Sequence, residues 1–446
     1  MNNYPSEVKE KLNSIIYEMN RVNYLFAKNP GRDFTRPKKL PLEDILRFPI
    51  FMKQDSTGSE LLAYFGNDVD TAPTLSAYIQ QREKLLPDTF RKLLHKFNAH
   101  FDPALYKGDL VLTAVDGTGM SMSYNPGCPL TFIKPNKASP DGHNELHLTA
   151  ALRVSDGMYS DSVIQPAPQL DERAAFCDMI DRDTLSKGTP LYLADRGFPS
   201  YNVFAHCFKK GAFFLIRAKD LYVGRLLKHD MPDPGNGEFD VEVDRIIVRH
   251  QSKKLYSRPD IREAYRFVDK NTPFDFIEYK SRDEFHMHLR VVRVKVDDNL
   301  YEYLITNLPA GKYGLAQLRT LYWIRWKAET SILHLKKVVG AEAFHCRSLV
   351  NVSHELLARL VKYNFCSAVA SIARNNVEHK KGKKHPHQIN FSLAIKKTHE
   401  FLCQKGSEKP INIIRIIEKY TLPVRDERKF PRNKQFQKPL TFLYRH

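Results

Sequence analysis

Three acidic residues of this 446-residue chain stand beside apolar segments, where a carboxylate is costly unless paired or bound to a cation. Asp116 follows the run VLTAV at 111–115, and Asp195 sits within PLYLADRGF at 190–198. Both runs read as short buried strands, and strand ends in open α/β sheets are where sites form. Taken singly, each is more often an ordinary strand-end Asp, and Asp116-Gly117 is also a turn signal. The third acid, Glu329, lies in TLYWIRWKAETSILHLKK at 320–337, which has helical spacing. Tyr322, Arg325, Glu329 and Lys336 fall at offsets 0, 3, 7 and 14, within about 60° of one another on one face. A Tyr and two cations around an acid can grip a phosphate backbone while the acid binds metal. The same stripe is also what a salt-bridged exposed helix face looks like. Carboxylate oxygens are hard donors suited to Mg²⁺ or Mn²⁺.

The elements that must position these residues divide the chain into blocks. Residues 1–105 read as helical. Within them Leu75 to Phe97 carries apolar residues near helical spacing, with Pro87 marking a break. Its basic polar side suits a small DNA-binding domain, and equally a solvated helix face. Residues 106–218 mix strands and helices. HLTAALRVSDGMYSDSVIQ (147–165) reads as two strands around a turn at Asp156-Gly157, Asp171 to Ile180 and Tyr201 to Lys210 read as helices, and AFFLIRA (212–218) reads as a strand. Residues 219–308 read as β only, through EFDVEVDRIIVRH (238–250), FDFIEYKSR (274–282), HMHLRVVRVKV (286–296) and YEYLITNL (301–308). Helical patterns return over Leu315–Val339 and Val352–Asn375. The fold class is therefore α/β, a mixed sheet interrupted by an all-β insertion.

Charge points to the partner. The net charge is +18, and 17 Lys and Arg face only 6 Asp and Glu in residues 376–446. HKKGKKHPH (379–387) and RDERKFPRNKQFQK (425–438) are basic runs of a kind that contacts nucleic acid, although a solvated tail has the same composition. The most apolar stretch, Leu356 to Ala373, is interrupted by Arg359 and Lys362, so no membrane span is expected. The N-terminus MNNYPSEVKEKLN has no apolar core or cleavage site and reads as no signal peptide. Six dispersed cysteines without a CxxC suggest free thiols in a reducing cytoplasm. The pairs His143/His147 and His286/His288 have ligand-like spacing without an evident third zinc ligand nearby. No GxxxxGK[ST] phosphate loop and no GxSxG nucleophile elbow is present.

DGT at 116–118, ADRGF at 194–198 and Y-x2-R-x3-E-x6-K at 322–336 resemble, in order and spacing, the signature blocks of bacterial insertion-sequence transposases of the Asp-Asp-Glu type, in the Tyr-Arg-Glu-Lys subgroup. The likeness in layout runs from about residue 40 to 375, and the ending KFPRNK is similar to the family as well. The resemblance implies a ribonuclease-H-like fold in which Asp116, Asp195 and Glu329 converge as catalytic metal ligands on two Mg²⁺ (or Mn²⁺) ions. It implies that Tyr322, Arg325 and Lys336 hold phosphates of a transposon end, with Arg196 a weaker candidate for the same role. Some relatives stack a flipped base on a Trp in the β insertion while a DNA hairpin forms. Here both tryptophans, Trp323 and Trp326, lie in the signature helix, which leaves Phe285, Tyr301 or Tyr303 as stacking candidates and the hairpin step open.

The architecture expected is an N-terminal helical DNA-binding domain (1–105), a ribonuclease-H-like core in two parts (106–218 and 309–375), an all-β insertion (219–308) and a basic C-terminal helical region (376–446) for DNA contact or dimerisation. The expected partner is double-stranded DNA, both transposon ends and target. The expected assembly is a homodimer or larger synaptic complex in a bacterial cytoplasm at the nucleoid. Two other readings share the chain: an endonuclease of the same fold that hydrolyses without joining, and a non-catalytic DNA-binding derivative.

Overall fold

A computed structural model describes residues 3–36, 40–137, 139–185, 187–232, 237–251, 263–297, 300–378, 385–404 and 411–424. The basic runs at 379–384 and 425–438 lie outside the described residues. Five helices come first: α1 (Tyr4–Arg21), α2 (Leu42–Phe51), α3 (Thr57–Tyr64), α4 (Leu75–Arg82) and α5 (Thr89–Asn98). A mixed ten-stranded sheet comes next, built from β1 (Leu110–Met122), β2 (Phe132–Ile133), β3 (His143–Arg153), β4 (Met158–Pro166), β5 (Thr189–Ala194), β6 (Phe213–Ala218), β7 (Phe239–Val248), β8 (Tyr265–Phe267), β9 (Glu284–Asp297) and β10 (Leu300–Thr306). Its order is β2-β3-β1-β5-β6-β10-β9-β7-β8, with β4 also paired to β3. β1 runs antiparallel to β3 and parallel to β5, and β5 runs parallel to β6.

Strand alternation assigns each face its own layer. Leu110, Leu112 and Ala114 of β1 point into a core shared with α1, α2, α5 and the long helix α11 (Leu349–Glu378). Val115 points into the other core, made with α6 (Glu172–Arg182) and α7 (Tyr201–Lys210). These helices start where their sequences allow: Asp171 and Ser200 accept hydrogen bonds from the first-turn N–H groups of α6 and α7. The N-terminal helices therefore share one apolar core with a face of the sheet. Helix α11 is long and apolar enough to cross a membrane, yet 89% of its most apolar window is buried inside the protein.

The structure revises several readings of the sequence. β1 does not stop at Asp116. It continues to Met122, because β3 pairs with it from Thr113↔Arg153 through Asp116↔Ala150 to Met122↔Asn144, and Gly117 is extended rather than turned. The insertion is not all-β, since it opens with α8 (Asp220–Leu227). Nor do its strands stand apart: β10 pairs with β6, so they extend the central sheet. Phe274–Arg282 is not a strand. The carbonyls of Asp269, Thr272 and Phe274 accept hydrogen bonds from the buried Arg249 guanidinium, which organises this segment as a loop around a cation. The helix expected over 320–337 is three pieces: α9 (Leu315–Ile324), α10 (Trp326–His334) and a π-helical turn (Leu335–Val339). Beyond α11 come α12 (Phe391–Cys403), α13 (Ile413–Lys419) and a two-stranded ribbon of β11 (His387–Ile389) and β12 (Thr421–Pro423).

A buried ion cluster ties α4 to α11. Glu355, 1% exposed, accepts from Arg82 Nη1 at 3.0 Å and from the His345 backbone N–H at 2.8 Å, with the His345 ring 3.4 Å away. Burial alone drives this carboxyl upward. The His345 contact, Arg359 and Arg82 more than offset it and hold it down to about 2. A depressed carboxyl stabilises the fold above its unfolded pKa, and that contribution fades as pH falls from about 4.5 towards 2. Removing one partner strands buried charge. Glu355→Ala should lower the unfolding free energy at pH 7 by about 3–5 kcal/mol in denaturant titrations, and the gap to wild type should narrow at pH 3. A loss under about 1 kcal/mol at pH 7 would refute the clasp.

Candidate active site

Neighbouring strands bring Asp116 and Asp195 together. Val115 pairs with Ala194 across the parallel β1–β5 ladder, so the aspartate after each stands at the same level of the sheet. Asp116 pairs with Ala150, a residue of the α11-side core, and alternation puts its carboxyl on that face. The helix pair α9–α10 packs on the same face through Leu318, Leu321 and Ala328, with Leu335 of the π turn, and carries Glu329 to the two aspartates.

Arg325 stands among the three acids. Its Nη2 donates to Glu329 Oε1 at 3.0 Å, and its Nη1 lies 3.9 Å from Asp116 Oδ2. Asp195 and Asp116 both act electrostatically on it, holding the guanidinium charged. The side chain is 2% exposed, and among the described residues its Nε and Nη1 have no hydrogen-bond partner. Tyr322 is buried as well, with its hydroxyl 3.3 Å from Asp195 Oδ1. Burial pushes this hydroxyl's pKa up, so it stays a proton donor. The Asp116 carboxyl is raised to about 6, mainly by burial. Arg325 and the Gly117 N–H oppose the rise, and the charges of Glu329 and Asp195 add to it.

Two residues later in the same helix and turn hold Glu329 at its height. Ser331 Oγ lies 2.8 Å from the buried hydroxyls of both Tyr159 on β4 and Tyr363 on α11. Lys336, on the π turn, donates to the Gly119 carbonyl of β1 and pairs with Glu342 at 3.3 Å. The stripe read from sequence thus faces the sheet, and Tyr322, Arg325 and Lys336 are all engaged internally. Arg196 is exposed on the turn after Asp195.

Sequence reading missed Arg217. Its Nη1 lies 3.9 Å from Asp195 Oδ1 and its Nη2 3.1 Å from Glu302 Oε1 on β10. The signal was a cation inside the apolar strand FFLIRA. It also missed Glu172, which lies 2.9 Å from His147 Nε2. Among the stacking candidates, Tyr303 is buried, Phe285 packs against Phe274 and Phe276, and Tyr301 lies under the Arg293 guanidinium at 4.0 Å. Trp323 and Trp326 are exposed, and the Arg325 guanidinium lies over the Trp326 ring at 5.1 Å.

Three facing carboxylates are the donor set of a hard divalent cation, and Asp116, raised mainly by burial with smaller additions from Glu329 and Asp195, is an acid that a bound cation would relieve. Arg325 parts them as they stand. Among the described residues, no three His, Cys, Asp or Glu side chains are gathered closely enough to hold one metal ion.

Residues 107–365 match the family model described as transposase DDE domain. No curated protein matches the chain. Among solved structures, the chain is similar to a piggyBac transposase synaptic complex with hairpin DNA, determined by cryo-EM. The TM-score is 0.43 and the identity 10%, over 96% of this chain and 87% of that one.

The raised carboxyl sets a measurable sign. The fold favours protonated Asp116, so its ionised form costs stability as pH rises from 3.8 through about 6, and the cost is complete above that. Asp116→Asn should therefore stabilise the metal-free protein at pH 8 by roughly 1–3 kcal/mol, at about 1.4 kcal/mol per pKa unit. The gain should vanish near pH 4. Chemical unfolding in chelator at the two pH values tests this, and destabilisation at pH 8 would contradict it.

Proposed function

Since the chain belongs to the transposase DDE domain family, we propose that it is the transposase of a bacterial insertion sequence, of the Tyr-Arg-Glu-Lys subgroup. In this reading it binds the element's terminal inverted repeats, hydrolyses DNA at the ends and transfers the 3′-hydroxyl strands into target DNA. The observation that carries the reading is the meeting of Asp116, Asp195 and Glu329 around one buried arginine. The strand order β4-β3-β1-β5-β6, antiparallel then parallel, supports a ribonuclease-H-like core.

Asp116, Asp195 and Glu329 would hold two Mg²⁺ or Mn²⁺ ions, which activate the attacking oxygen and stabilise the leaving one. This chain's residues do the rest. Glu329 must exchange its hydrogen bond with Arg325 for its role as a ligand. Arg325, so released, has the planar fork that matches a phosphate. Tyr322 retains its proton for donation to a phosphate oxygen. Arg217 adds positive charge beside Asp195, and exposed Arg196 can meet the DNA from the strand-end turn. Lys336 would reach a phosphate only by leaving Gly119. Two ends must be held together for joining, which calls for a homodimer or larger synaptic complex, acting on nucleoid DNA in the cytoplasm.

The test is a Mg²⁺-dependent assay on a DNA end from the element flanking the gene, comparing wild type with Glu329→Gln. Nicking and joining should fall about 100-fold or more in the variant, as losing several kcal/mol of charge stabilisation implies, with end binding retained. Hydrolysis without joining would identify an endonuclease. Binding without cleavage in both proteins, with Mn²⁺ also tried, would identify a non-catalytic derivative.

A further inference from the structure

The glycines of two signature blocks, Gly117 in DGT and Gly197 in ADRGF, face the same carboxylate. A Cβ on Gly117 would stand 1.9 Å from Glu172 Oε1 and 2.6 Å from His147 Nε2. A Cβ on Gly197 would stand 3.7 Å from the other oxygen, Glu172 Oε2. Glycine inside a strand weakens it, and its presence marks a close approach. Here the approaching group is the Glu172 side chain, from the first turn of α6. Alternation along β1 sets Gly117 on the face opposite the Asp116 carboxyl, so Glu172 lies behind the acids rather than among them.

His147 braces the carboxylate, and the turn that carries it is anchored at its start. His147 Nε2 bonds to Oε1 at 2.9 Å, and His147 is itself nearly buried on β3. Asp171 caps α6 at its start, and Arg173 Nε donates to the Gly197 carbonyl at 3.0 Å. One helix turn thus bears on the residue after Asp116 and on the loop carrying Asp195.

We propose that Glu172, braced by His147, is a positioning residue: a wedge on the far face of the sheet that sets the spacing of Asp116 and Asp195. It touches neither DNA nor reacting atoms. The inference rests on the reading of these aspartates as metal ligands, so its readout is Mn²⁺ affinity of the DNA-free protein by titration calorimetry, beside end cleavage and end binding. Glu172→Ala should weaken Mn²⁺ binding on the order of 10-fold, the range of supporting-residue effects at metal sites, with end binding unchanged. Glu172→Gln keeps the shape and an oxygen for His147, and should stay within about 3-fold of wild type. Gly117→Ala should also weaken Mn²⁺ binding, through the clash. In the double variant Gly117→Ala/Glu172→Ala the tightest contact is gone and only that with His147 remains, so the two losses should combine to less than their product. Should Glu172→Ala fail to fold, as thermal unfolding would reveal, Gly117→Ala with Glu172→Gln and His147→Asn carries the same comparison. Losses that multiply in the double variant, or a Glu172→Ala protein that binds Mn²⁺ like wild type, would overturn the wedge. A wild type that neither binds Mn²⁺ nor cuts DNA would overturn the metal-ligand reading beneath it, and the wedge with it.

Discussion

Three carboxylates cannot share a partly buried space without a countercharge, and most of the central architecture answers that demand. Arg325 supplies the charge from inside, one helical turn before Glu329, reaching both Glu329 and Asp116. Its guanidinium lies buried with two nitrogens unbonded, an arrangement that a local excess of negative charge can sustain. Everything that fixes the helix also fixes this balance: the Ser331 hydroxyl between two tyrosines, and Lys336 on the Gly119 carbonyl. The backbone is irregular at these same residues. α9 and α10 meet at Arg325, and the helix ends in a π turn at Lys336.

The same logic recurs deeper in the protein with a different balance. Burial raises both carboxyls, but around Glu355 the contacts with His345, Arg359 and Arg82 outweigh it and drive the carboxyl down, whereas at Asp116 burial prevails. Helix α11 carries Glu355, Arg359 and Tyr363 along one length, so it joins the N-terminal helices at one point and the Glu329 helix at another. A single helix of 30 residues thus couples the position of α4 to that of the acidic site.

Apolar runs made the sheet legible. VLTAV and PLYLA are strands, and the acids after them share a level because β1 and β5 are parallel neighbours. Helical spacing likewise put Tyr322, Arg325 and Glu329 on one face, although it could not tell that the face turns inward. Three features were not legible, each decided by partners distant in sequence. Asp116-Gly117 reads as a turn until β3 is known to pair beyond it. FDFIEYKSR has strand composition, yet its neighbourhood is arranged around Arg249. Arg217 looked like an interruption in an apolar strand, because Asp195 and Glu302 are beside it only in the folded sheet.

The chain turns away from β6 after Ala218, builds the outer strands β7 to β9 of the sheet and comes back beside β6 at Tyr303, the direct partner of Ala218. The segment between them also reaches forward: Arg290 of β9 donates to the carbonyls of Leu308 and Tyr313, and Arg319 of α9 donates to the Lys295 carbonyl. Only its far edge, where β8 pairs with β7, is remote from these contacts. Closing a longer loop adds only slowly to the entropic cost. That far edge is thus a shore on which new surface can accumulate by descent, while β9 stays part of the footing of α9.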